Sequence, residues 1–147
     1  MNLTEFITEN EGRRKKPYKC PAGFNTIGVG WNMDSNRLPR SVQEYLNDHG
    51  EITEEMIDML LDLSISRALN DCASLFPDFN NFSANRKIAL TDFLFNVGYR
   101  RAIQFIKAIH AINVKDWDKA ADEMIDSKWF VQVPNRALKV VDMVRNG

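Results

Sequence analysis

Three residues near the start of the chain carry side chains suited to breaking a bond with water. Glu11, Cys20 and Thr26 lie within the run from Asn10 to Gly30. Glu11 is placed at the end of a short helix, Cys20 in a turn beside Pro21, and Thr26 on a glycine-rich strand. A carboxyl group can donate a proton to a leaving oxygen. A thiol can act as base or nucleophile, and a hydroxyl can hold a water. Hydrolysis of a glycosidic bond needs that set of groups.

The spacing Glu11-Gly12, Cys20, then Thr26-Ile27-Gly28-Val29-Gly30 resembles the catalytic signature of the phage-type lysozymes, glycoside hydrolase family 24. In that family the middle position is usually Asp and more rarely Cys. Two later runs share the resemblance. Asp92-Phe93-Leu94-Phe95-Asn96-Val97-Gly98 is similar to the family's central helix and the glycine that ends it. Ser127 to Ala137, including Pro134-Asn135-Arg136-Ala137, is similar to its C-terminal region. Each piece alone is weak, but in this order they cover nearly the whole chain.

The resemblance implies roles. Glu11 becomes the general acid, Cys20 the partner of water or of the sugar, and Thr26 the holder of the attacking water. Asn32, Phe95 and Asn96 fall on positions near the substrate, with Asn32 differing from the family's usual residue there. Trp129, Asn135 and Arg136 match the motif packed behind the acid, and Arg136 matches a cation placed close to it. The implied substrate is the polysaccharide of bacterial peptidoglycan, lying across a cleft between two lobes. No cofactor and no metal is implied. The resemblance also implies a monomer that stays in the host cytoplasm until a holin opens the way to the wall.

Read on their own, these residues allow plainer explanations. Glu11 could be a surface carboxylate, Cys20 a small buried hydrophobe, Thr26 a β-branched strand residue, and Phe95 and Trp129 core aromatics. The partial negative charge at a helix C-terminus disfavours a carboxylate there, which suits a group that must keep its proton. An unperturbed thiol ionises near about 8.5, so only a few per cent is thiolate at neutral pH. Lys16, Lys19, Arg14 or Arg13 would raise that share. Base, nucleophile and charge stabiliser all remain open for Cys20. A lytic transglycosylase and a non-catalytic wall-binding module are the competing readings.

Other chemistries find less support. Gly28 and Gly30 lack the third glycine of a dinucleotide loop, so close approach of backbone or substrate explains them better. His49 and His110 are isolated, and no His, Cys and Asp spacing suits zinc. A net charge of −1 argues against a nucleic-acid binder, although residues 13–19 carry five basic groups and no acidic one. That run is either a solvated turn or an attraction to an anionic polymer. Two cysteines are too few for a disulfide scaffold. The first residues lack a signal-peptide pattern, and no apolar run approaches the roughly 20 residues that span a bilayer.

To position these groups the chain must supply a helix, a small sheet and a helical body. Leu3, Phe6 and Ile7 form a helical stripe over 3–10, with Asn2 as its cap and Gly12 as its stop. Residues 17–34 read as short strands and turns, punctuated by Pro17, Pro21, Gly23, Gly28 and Gly30. Helices are expected at 39–48 and, capped by Thr53, at 54–74. Four more are expected near 84–97, 100–111, 116–125 and 135–145, with Ser83, Asn113 and Pro134 near their starts. The fold class is α+β, lysozyme-like and mainly helical. Its small N-terminal lobe (12–53) holds an antiparallel sheet. The larger helical lobe takes 75–147 plus the first helix, 1–11, and helix 54–74 joins the two.

Overall fold

A computed structural model describes residues 1–147. The chain is mostly helical with one small antiparallel sheet, as the α+β reading requires. In order it forms α1 (Leu3–Glu11), β1 (Arg14–Lys19), β2 (Asn25–Gly28), β3 (Trp31–Asn32), α2 (Arg40–His49) and α3 (Glu54–Leu75). A 3₁₀ turn, Phe79–Asn81, then leads into α4 (Ala84–Val97), α5 (Tyr99–Ala102) and α6 (Ile106–Asn113). The last elements are α7 (Trp117–Ile125), α8 (Lys128–Gln132) and α9 (Pro134–Asn146). No helix is long and apolar enough to cross a membrane.

Contacts divide the chain into two compact units, Thr4–Ile65 and Ser66–Gly147 together with Met1–Leu3. The boundary falls inside α3. The bulk of α1 thus groups with the strands rather than with the later helices.

In the first unit the sheet order is β1-β2-β3. β1 starts at Arg14, inside the basic run and three residues before the expected start, because β2 pairs with it. The register places Arg14 opposite Gly28, Tyr18 opposite Thr26 and Lys19 opposite Asn25, with an irregularity between Arg14 and Tyr18. Pro17 lies in that bulge, where its missing N–H breaks no ladder bond. β2 is the buried strand: Thr26, Ile27 and Gly28 are all buried. Charges latch the base of the hairpin to α3. Arg13 reaches Glu54 at 2.6 Å and Asp58 at 2.9 Å, and Lys15 lies 3.6 Å from Glu54.

In the second unit α4 and α9 run against each other, as do α7 and α9 and α6 and α7. Phe76, Phe79, Phe82 and Trp117 form a chain of ring contacts. Arg86 lies 4.1 Å above the Trp117 ring and donates to the carbonyls of Val144 and Arg145, which satisfies the end of α9. The helix expected over 100–111 is two helices. Between them, the Gln104 and Phe105 amides bond to Arg101 and Ala102, three residues back. Phe105 sits edge-on to Phe93 at 5.0 Å, and that contact breaks the run. Ser83 caps α4 as expected, by accepting from the Arg86 amide. Asp116, not Asn113, caps α7. Asn113 ends α6, and its amide donates to the Leu75 carbonyl. The short helix α8 gave no periodic signal and is capped by Ser127.

One charge lies wholly inside this unit. Asp92, on the buried side of α4, has no exposed side-chain surface. Arg136 of α9 grips it with two bonds, Nε to Oδ2 at 2.9 Å and a terminal nitrogen to Oδ1 at 2.8 Å. A bidentate pair satisfies both ions, but taking one away strands the other in a nearly dry setting. Asp92→Ala should therefore cost about 3–5 kcal/mol in urea unfolding. A loss below 1 kcal/mol would mean that the pair does not carry this packing.

Candidate active site

Glu11, Cys20, Thr26 and Asn32 all belong to the first unit, and Phe95, Asn96, Trp129, Asn135 and Arg136 to the second.

Glu11 is the last residue of α1. Gly12 stops the helix with φ +79°, and its amide bonds to the Thr8 carbonyl at 2.8 Å. The carboxyl group packs against Gly30. A Cβ added at Gly30 would fall 2.5 Å from Glu11 Oε2 and 2.8 Å from its Cδ. Gly30 also sits at φ +65°, a backbone region that L side chains rarely adopt. The glycine-rich turn between β2 and β3 is thus shaped around the acid. Close approach was legible in the sequence; that Glu11 makes it was not.

Cys20 leaves β1 at the start of the hairpin turn and is partly exposed. Its amide bonds to the Phe24 carbonyl at 3.0 Å, and its carbonyl accepts from the Gly23 amide at 2.8 Å. Gly23 closes this tight turn with φ +87°. Partial burial pushes the Cys20 thiol up. Hydrogen bonds from the Phe24 and Ala22 amides, the Thr26 hydroxyl and the Gly23 amide outweigh that and hold it below its ordinary value. None of the basic residues expected to do this, Arg13, Arg14, Lys16 and Lys19, is among the causes: Arg13 is engaged with Glu54 and Asp58, and Arg14 lies 4.7 Å above the Tyr18 ring.

Thr26 is buried, at 3% exposure, and its hydroxyl donates to the Phe24 carbonyl at 2.9 Å. Strand alternation places Tyr18 and Cys20 on one face of the hairpin, and Thr26 stands opposite Tyr18 on that face. Tyr18 is a residue that the sequence reading passed over. Burial pushes its phenol up, and the charges of Glu11 and Cys20 add to that while Arg14 opposes it. It therefore stands within electrostatic reach of both the acid and the thiol. Its period-two spacing from Cys20 was the available signal.

Asn32 lies on β3, and its side-chain oxygen accepts from the Asp34 and Ser35 amides. That oxygen is committed to the turn it caps. In the second unit Asn96 Oδ1 accepts from the Trp129 indole N–H at 2.8 Å, and Trp129 is 2% exposed. Phe93 meets the Trp129 ring edge-on at 4.9 Å. Phe95 is half-buried and Asn135 exposed. Asp92, which holds Arg136, was the other omission. A carboxylate within an apolar helix must have a partner, and that was its signal.

No group of three or more His, Cys, Asp or Glu is arranged to hold a metal ion.

The family model for phage lysozyme matches residues 8–143, a span that takes in every one of these positions. The chain belongs to the phage lysozyme family. It is similar to probable T4-type lysozyme 2 of Dictyostelium discoideum, 28% identical over 99% of this chain and 95% of that protein. It is similar to probable T4-type lysozyme 1 of the same organism, 26% identical over the same shares. It is also 26% identical to the pre-baseplate central spike protein Gp5 of Enterobacteria phage T4, covering all of this chain and 28% of that one. As a phage-type lysozyme the chain carries a lysozyme-like function with peptidoglycan as the implied substrate.

The two thiols of the chain should separate cleanly by alkylation. Cys72 is fully buried, and burial pushes its thiol up to about 12. Iodoacetamide should label Cys20 with a midpoint below the usual value of about 8.5 and leave Cys72 untouched in the folded protein. Mass spectrometry of the labelled peptides checks this. Equal labelling of both would contradict the two environments.

Proposed function

We propose that this lysozyme is a muramidase that hydrolyses the β-1,4 bond between N-acetylmuramic acid and N-acetylglucosamine. The observation that carries the proposal is the grouping in one unit of Glu11, seated against Gly30, with Cys20 and Thr26 on a shared hairpin face. Glu11 gives its proton to the leaving oxygen. The Cys20 thiolate takes a proton from water as that water attacks the anomeric carbon, and Thr26 holds the water. The lowered pKa of the Cys20 thiol supports the base role, because it puts more thiolate at neutral pH. Water attacking from the face opposite the leaving group inverts the anomeric centre.

The remaining site positions support substrate and geometry. Phe95 has a half-exposed ring suited to stacking on a sugar face. In the second unit Arg136 is held by Asp92 and the Trp129 indole by Asn96. The setting is host lysis. The enzyme accumulates as a monomer in the host cytoplasm, and a holin releases it to the wall.

Purified wall digested with the protein should show new reducing ends at N-acetylmuramic acid, released as the α-anomer. Anhydro-sugar ends would instead indicate a transglycosylase. Glu11→Gln should abolish turbidity clearing while thermal unfolding stays within a few degrees of wild type. Unchanged clearing by that variant would remove the acid from the mechanism. Cys20→Ala should slow clearing by about 100-fold or more, the usual worth of a positioned base.

Gly30→Ala should also slow clearing by about 100-fold, because the new methyl group must displace the Glu11 carboxyl group. The same change should cost about 1–2 kcal/mol of stability for its left-handed backbone. Full activity in Gly30→Ala would show that the seat of Glu11 is unimportant.

A further inference from the structure

Along residues 99–111 the small apolar side chains face inward and large ones face out. Ala102, Ala108 and Ala111 are buried, whereas Tyr99, Ile103 and Ile106 are 42%, 43% and 74% exposed. Single exposed apolar side chains are ordinary, but these three share a face. The Ile103 amide bonds to the Tyr99 carbonyl at 3.0 Å, so the two side chains stand one helical turn apart. The Gln104 and Phe105 amides then reach three residues back. In such a 3₁₀ turn residues three apart line up, which carries the face on to Ile106 at the start of α6.

The charge beside these side chains has one sign. Residues 93–115 hold four cations and no acid. Of the four, Lys115 is taken by Asp78. Arg100 and Lys107 are exposed and form no ion pair, and Arg101 donates to the neutral Gln132 side chain at 3.2 Å. The elements alongside offer little counter-charge. The one charged residue of α8 is Lys128. Asp116 caps α7, Asp118 and Asp122 are held by Arg145, and Glu123 is held by Lys119.

We propose that this face docks on an anionic lipid surface. Ile103 and Ile106 enter the boundary between headgroups and acyl chains, and the Tyr99 ring lies at headgroup level. Arg100, Arg101 and Lys107 meet lipid phosphates while their stems lie along the apolar contact. Cations set around exposed aliphatic tips match that surface in both respects. Lipid phosphate attracts the charges, and the hydrocarbon layer favours burial of the isoleucines. An anionic sugar polymer or a nucleic acid would engage the cations and leave the isoleucines in water. A second copy of the chain would bring the same cations against these, with no acid to meet them. The contact is shallow and reversible, since no helix is long and apolar enough to cross a membrane. It asks nothing of the hairpin chemistry, so it stands or falls apart from the hydrolase reading.

Co-sedimentation of the intact protein with lipid vesicles tests the docking. The protein should bind vesicles of equal parts phosphatidylglycerol and phosphatidylcholine about 100-fold more tightly than vesicles of phosphatidylcholine alone. Arg100→Gln with Lys107→Gln should weaken the anionic binding about 30-fold. Ile103→Ser with Ile106→Ser should weaken it about tenfold. Lys16→Gln with Lys19→Gln, on the basic strand β1, should weaken it far less. In the wild type, hydrogen exchange at amides 103–107 should slow on anionic vesicles while that of β1 does not change. That measurement decides the case even if a variant does not fold. Equal binding to both kinds of vesicle would overturn the docking, as would slowed exchange confined to β1. Binding unmoved by the isoleucine changes would leave charge alone and also overturn it. Dimers that form without lipid and vanish in the isoleucine variant would assign the face to a second copy instead.

Discussion

The carbonyl of Phe24 fixes the geometry on which the chemistry proposed for the hairpin depends. It closes the turn by accepting the Cys20 amide, and it orients Thr26 by accepting its hydroxyl. One oxygen thereby sets the sulfur, the hydroxyl and the turn in a single relation. The sheet beyond it is short, and its edge strand is bulged and largely exposed. Rigidity at the tip must therefore come from local hydrogen bonds and from the buried strand β2 rather than from a wide ladder.

In the mechanism proposed above, a thiol stands where the family resemblance implies a carboxylate. A carboxylate is ionised at neutral pH without help, whereas a thiol needs its anion favoured. Nearby cations would do that at the mercy of salt. Here the amides of the turn and one hydroxyl serve instead, and bonds of that kind are little screened. The basic run is put to a structural use, with Arg13 and Lys15 holding the hairpin to the first turns of α3.

Much of this was legible in the sequence, and the reasons for success and failure are physical. The stripe of Leu3, Phe6 and Ile7, the caps Ser83 and Thr53 and the stop at Gly12 are local signals, and each is realised locally. Glu11, Cys20 and Thr26 could be singled out as candidates because their spacing carries a family pattern. What stayed hidden depends on contacts distant in the chain. Gly30 needs the position of Glu11, Arg136 needs Asp92, and the break at Phe105 needs Phe93. Tyr18 was missed for another reason. Its part comes from a strand that begins earlier than its apolar residues suggest, within a run of cations.

The fit of Glu11 into the space left by Gly30 also constrains how such a chain can change over generations. Two separate demands act on residue 30: a left-handed backbone and the bulk of its neighbour. Asparagine meets the first but not the second. In a lineage that discarded the carboxyl group, only the backbone demand would persist, and asparagine could then spread there. A glycine retained at that place across many descendants would be an inherited trace of the carboxyl group still seated beside it.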